Sequence, residues 1–131
     1  MNVDHIGIAT HQLDDALAIW RDALGLEVDV TEEVTEQGVR VAMLRLGETH
    51  IELLEPLTED SPVGKFLERR GAGIHHIAIG VPDIRAALAQ LKQKGTRLID
   101  ETPRVGARGC LVAFVHPSSA NGVLLELVQY Q

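Results

Sequence analysis

An internal repeat constrains this chain more than any other feature. VDHIGIA at 3–9 aligns with IHHIAIG at 74–80, and each is followed by a turn and a helical pattern. In the first half the apolar helix positions are Leu13, Ala16, Leu17, Trp20 and Leu24; in the second they are Ile84, Ala87, Leu88 and Leu91. Both sets follow the i, i+3, i+4, i+7 stripe of an amphipathic helix. Gly25 and Gly95 stand where a C-terminal cap calls for positive φ. Three strand-like segments follow in each half: LEVDVTEEV, VRVAMLRLG and THIELLEP, then TRLIDE, CLVAFVHP and GVLLELVQ. Each half therefore reads β-α-β-β-β.

The segment EDSPVGKFLERRGAG at 59–73 joins the halves, and its Ser61-Pro62 opening predicts a short helix with proline in the first turn. The expected organisation is one domain over 1–131, with modules at about 1–58 and 73–131 and a connector at 59–72. Neither module has enough chain to form a core alone. The predicted fold class is α+β: the two βαβββ modules form a curved eight-stranded mixed sheet around a ligand cleft, with the helices outside.

Composition narrows the function classes. Twelve basic against 19 acidic residues give a net charge of −7, which argues against a nucleic-acid surface built on clustered Lys and Arg. Aromatic content of 3% leaves little for base stacking. No stretch approaches the roughly 18 apolar residues of a membrane span. MNVDHIGIAT has neither the basic nor the apolar region of a secretory leader, so the expected location is the cytoplasm. Cys110 is the single cysteine, which excludes an intrachain disulfide and a CxxC metal knuckle.

Strand alternation then selects candidate chemistry. On the first strand of each module, His5 and His76 stand at equivalent positions, opposite the isoleucine face that a helix must cover. On the last strand, Glu52 in HIELLEP and Glu126 in VLLELVQ are also equivalent. A carboxylate between aliphatic residues is costly to bury unless paired or bound to a cation. Two imidazoles and two carboxylates suit a borderline divalent ion with positions left open for substrate. His75 faces the other way and reads as a core residue. His11, His50 and His116 read as surface residues, Cys110 as a small hydrophobe, and Lys65, Arg69 and Arg70 as a solvated helix face.

The segments VDHIGIAT, EQGVRVAMLRLG, IELLEPLTEDSPVGKFLERRGAGIHHIAIGV and FVHPSSANGVLLEL resemble the vicinal oxygen chelate superfamily, and within it the methylmalonyl-CoA epimerases. The run from Ile51 to Val81 and the ending HP to GVLLEL are its most specific parts. The resemblance carries the family's metal ligands onto His5, Glu52, His76 and Glu126, and implies a divalent metal, typically cobalt(II), an acyl-CoA thioester substrate and a homodimer. Val41 and Ser118 depart from some epimerases, which have Glu and Lys at those positions. The implied reaction inverts C2 of methylmalonyl-CoA through an enolate. Glu126 is the expected proton carrier, with Glu52 or a metal-bound water as the other. Glyoxalase I, an extradiol dioxygenase and a non-catalytic ligand-sequestering protein are the alternatives on the same fold.

Overall fold

The computed structural model describes residues 1–131, which divide into two units, residues 5–75 and residues 76–131 with 1–4. The first strand, β1 (Asn2–Ala9), contributes to both.

In the first unit, β1 leads into α1 (Leu13–Leu17), which continues as π-helical turns over Ala18–Ala23. Strands β2 (Val28–Val34), β3 (Val39–Leu46) and β4 (Thr49–Pro56) follow. Their order is β2-β3-β4-β1, with β1 parallel to β4 and the other pairs antiparallel. Leu13 and Leu17 pack on Ala42, Leu44, Ile51 and Leu53, with Ile6, Ile8 and Trp20 beside them. Each fully buried Leu or Ile adds about 1.5–3 kcal/mol. This cluster fixes one sheet face as the helix-covered one, and the alternate residues occupy the other.

One sequence expectation changes here and another holds. Leu24 does not complete the apolar stripe of the first helix and is 63% exposed. The Leu24 amide bonds the carbonyl five residues back, on Ile19, and this wider turn rotates it off the buried face. The connector does form a helix, α2 (Pro62–Arg70), with Pro62 in its first turn, and Ser61 Oγ accepts the Gly64 amide at 3.1 Å. Gly64 is required there, because a Cβ would lie 2.4 Å from the Glu59 carbonyl oxygen.

The second unit holds β5 (Gly73–Gly80) from His76 onward, α3 (Ile84–Gln93), β6 (Arg104–Val105), β7 (Leu111–Val115) and β8 (Leu125–Gln129). Their order is β5-β8-β7-β6, with β5 parallel to β8. Ile84 and Leu88 of α3 pack on Ala113 and Leu127, joined by Val81. The expected strand TRLIDE reduces to an isolated bridge between Leu98 and Val115. Asp100 Oδ2 accepts the Phe114 amide at 2.9 Å, so a side chain replaces a ladder carbonyl and pairing stops.

The repeat extends to how each helix is anchored. Glu55 on β4 accepts the Leu13 amide at 2.9 Å, and Gln129 on β8 accepts the Ile84 amide at 2.8 Å. Each acceptor stands three residues after its strand's candidate glutamate, on the helix face. It satisfies an amide that a helix start leaves without an internal partner. No helix is long and apolar enough to cross a membrane.

Candidate functional site: two buried histidine–glutamate pairs

In the first unit, His5 is the register partner of His50 and Gly7 that of Glu52. Register partners share a sheet face, so His5, Gly7, His50 and Glu52 lie together opposite the α1 face. Gly7 presents no side chain toward Glu52, which leaves room for the imidazole two residues earlier. His5 Nε2 lies 3.4 Å from Glu52 Oε1, with both residues buried. Val41, fully buried, and Met43 are on the same face of β3.

The second unit repeats the device. Ala78 is the partner of Glu126, and His76 stands two residues earlier. His76 Nε2 lies 3.0 Å from Glu126 Oε1, again with both residues buried. Phe114, register partner of Glu126 on β7, meets the His76 ring edge-on with centroids 5.7 Å apart. Ala78, Cys110, Val112 and Val128 form an apolar cluster, and Cys110 behaves as the hydrophobe expected.

A buried carboxylate beside a buried imidazole is stable only when a proton or a cation lies in their field. Both pairs offer ligand-type donors, an imidazole nitrogen and a carboxylate oxygen. That mix fits a borderline divalent ion better than a purely oxygen-seeking one.

The other candidate histidines separate. His75 packs against Phe66 of α2, with centroids 4.9 Å apart, away from Glu126 as alternation requires. His116 accepts the Ser118 amide on Nδ1 at 3.0 Å. His11 is exposed. His50 departs from expectation: it shares the face of His5 and Glu52 and sits 2.6 Å from Asp29 Oδ2. Arg45 reaches the other Asp29 oxygen at 2.8 Å. The His50 contact, helped by Arg45, holds the Asp29 carboxyl below its usual pKa. Lys65, Arg69 and Arg70 are exposed, with Arg70 over the Phe66 ring at 5.9 Å.

Sequence reasoning missed Phe114, His50 and Asp29. Alternation assigns faces along one strand, but only the inter-strand register makes Phe114 the neighbour of Glu126. A bulge between Val28 and Val30 turns Asp29 toward Arg45, and no local signal announces it.

A second network closes the C-terminal end. Arg108 donates to Tyr130 Oη at 2.7 Å and to Asp4 Oδ2 at 3.0 Å, and the Tyr130 hydroxyl donates to Asp4 Oδ1 at 2.5 Å. Arg108 has φ of 59°, a left-handed conformation that is costly for a non-glycine residue and is held by these contacts.

Comparison with known proteins converges on one family. The model of the Glyoxalase/Bleomycin resistance protein/Dioxygenase superfamily matches residues 4–114. An ethylmalonyl-CoA/methylmalonyl-CoA epimerase of Cereibacter sphaeroides is 44% identical, over 97% of this chain and 96% of that protein. A variant methylmalonyl-CoA epimerase of Streptomyces coelicolor, solved with 2-nitronate-propionyl-CoA, is 45% identical with a TM-score of 0.95, covering 98% of this chain and 94% of that one. A methylmalonyl-CoA epimerase solved with methylmalonyl-CoA and NH4+ is 46% identical with a TM-score of 0.94, covering 98% and 93%. The repeat of β-α-β-β-β modules and these near-full-length matches place the chain in the glyoxalase/bleomycin resistance/dioxygenase superfamily, among its methylmalonyl-CoA epimerase relatives.

Proposed function

We propose that this protein is a metal-dependent epimerase that interconverts the C2 epimers of methylmalonyl-CoA. The observation that carries the reading is near-full-length similarity, at about 45% identity, to epimerases solved with methylmalonyl-CoA and with 2-nitronate-propionyl-CoA. His5, Glu52, His76 and Glu126 together hold one divalent ion, cobalt(II) in this reading. Their equivalent positions in the two halves, their burial and their mixed nitrogen and oxygen donors support the assignment. In this reading the working form is a homodimer, as the family resemblance implies, and the expected location is the cytoplasm.

When bound, the ion supplies Lewis-acid stabilisation of the negative charge that develops when C2 is deprotonated. The chain supplies the proton chemistry. Glu126 takes the C2 proton on one face, and Glu52 delivers one to the other. Apolar neighbours, including Val112, Val128 and Phe114 beside Glu126, exclude water and keep each carboxylate's proton available to the substrate.

Incubating cobalt-loaded protein with one epimer of methylmalonyl-CoA in deuterated buffer tests the reading. The expected result is conversion to the other epimer with deuterium incorporated at C2, abolished by chelator and restored by cobalt(II). No conversion, with turnover of a glutathione hemithioacetal instead, would transfer the protein to the glyoxalase reaction. Full turnover by metal-free protein would remove the ligand assignment.

A further inference from the structure

Arg104 forms, with Val105, the two-residue edge strand β6 and pairs with Val112 of β7. Val112 and Phe114 alternate on β7, and Phe114 pairs with Glu126. Arg104 therefore lies on the sheet face that carries Glu126 and His76. The contacts agree with the register. The guanidinium carbon lies 5.8 Å from the Phe114 ring centroid, and the same ring meets His76. One continuous line of contact thus runs Arg104, Phe114, His76, Glu126.

The guanidinium is poised for a further partner. Asp100 Oδ1 stands 3.3 Å from Arg104 Nε, yet Nε is buried and makes no hydrogen bond. Asp100 cannot readily swing to improve that contact, because its other oxygen is committed to the Phe114 amide at 2.9 Å. The Arg104 side chain is 36% exposed, so solvent and solutes reach it. A guanidinium over an aromatic ring offers a planar fork of donors, which suits a carboxylate better than a lysine ammonium would.

The proposed reaction supplies a reason for such a cation. The substrate carries a carboxylate on the reacting carbon, and deprotonation at C2 adds further negative charge. An additional positive group on the same face offsets the charge that substrate brings. We propose that Arg104 recognises the free carboxylate of the acyl-CoA substrate, selecting malonyl-type over simple acyl thioesters. This assignment rests on the epimerase reading.

The test compares malonyl-CoA, propionyl-CoA and free CoA binding to cobalt-loaded wild type, Arg104→Gln and Arg104→Lys by calorimetry, alongside KM and kcat for methylmalonyl-CoA. Removing one charge-assisted hydrogen bond from a binding site weakens affinity by about 10- to 100-fold. The expected result is a weakening of that size for malonyl-CoA in Arg104→Gln, a parallel rise in KM, and little change for propionyl-CoA or CoA. Arg104→Lys should recover part of the affinity. Equal weakening for all three ligands would instead assign Arg104 to the phosphates of CoA and overturn the proposal, as would no weakening for any. Should Arg104→Gln fail to fold, phenylglyoxal labelling of the wild type decides. Malonyl-CoA should protect Arg104 and propionyl-CoA should not, and equal protection by both would refute the idea. Wild type that binds malonyl-CoA selectively but does not epimerise methylmalonyl-CoA would sink the epimerase reading while leaving the Arg104 comparison decisive. Wild type that binds none of the thioesters would overturn both.

Discussion

Ala78 on β5 faces Glu126 on β8 as its direct register partner, and Ala78 is fully buried. In the other half Gly7 faces Glu52 in the same way. The recurrence ties each histidine–glutamate approach to a small residue two positions beyond the histidine. Ala78→Leu inserts three carbons into this space. Overpacking a tight core costs about 1–3 kcal/mol, and here the displaced group is a proposed ligand. The variant should unfold at lower urea and retain less cobalt per chain by elemental analysis. Unchanged stability and full metal content would show that the small residue is incidental.

Tyr130 gives a spectroscopic handle, because it is the single tyrosine of the chain. Partial burial first, then its hydrogen bond to Asp4, raises its pKa above the usual 10.0, against the opposing pull of Arg108. The folded state therefore keeps its phenol proton to higher pH than the unfolded chain does. The stability this contributes is complete below about pH 10 and disappears as pH rises through the folded-state value. Tyrosinate absorbance should titrate later in native protein than in protein unfolded by urea, and Tyr130→Phe should flatten the alkaline fall in stability. Superimposable native and unfolded titrations would contradict the contact.

His75 and His76 are adjacent in sequence, yet they face opposite sides of β5, toward Phe66 and toward Glu126 respectively. His76→Ala should strip most of the bound cobalt(II), whereas His75→Ala should keep it and sacrifice only packing. Equal metal depletion in the two variants would break the facing argument.

The repeat made much of this legible in advance. Two copies of one pattern identified the helices, the first and last strands of each module and the four candidate side chains, since periodicity is a property of the local chain. What escaped depends on longer-range or backbone-level choices. The π-helical turns that expose Leu24, and the Asp100 contact that ends pairing after the Leu98 bridge, are decided by single hydrogen bonds. Arg104 stayed silent because its two-residue strand has no pattern of its own, and its meaning comes from the register that places it over Phe114.

Glu126 carries the sharpest prediction. It is buried beside His76, between Leu125 and Leu127, so a substitution there acts on metal holding, on proton transfer or on both. Glu126→Gln keeps the shape and an oxygen donor but cannot accept the C2 proton. If Glu126 serves only as a ligand, saturating metal should restore the rate. If it carries the proton, a deficit of about 10²–10⁴ should persist in fully loaded protein, with C2 deuterium exchange reduced in parallel. Near-normal exchange in the metal-saturated variant would remove Glu126 as an essential base. Glu52→Gln provides the counterpart. With Val41 fully buried and apolar on the neighbouring strand, no carboxylate at that position can substitute for Glu52. A shuttle through Glu126 and Glu52 therefore predicts that Glu52→Gln still exchanges deuterium into C2 of one epimer but converts it poorly to the other. Exchange and epimerisation surviving together in Glu52→Gln would mean that the second proton comes from another donor.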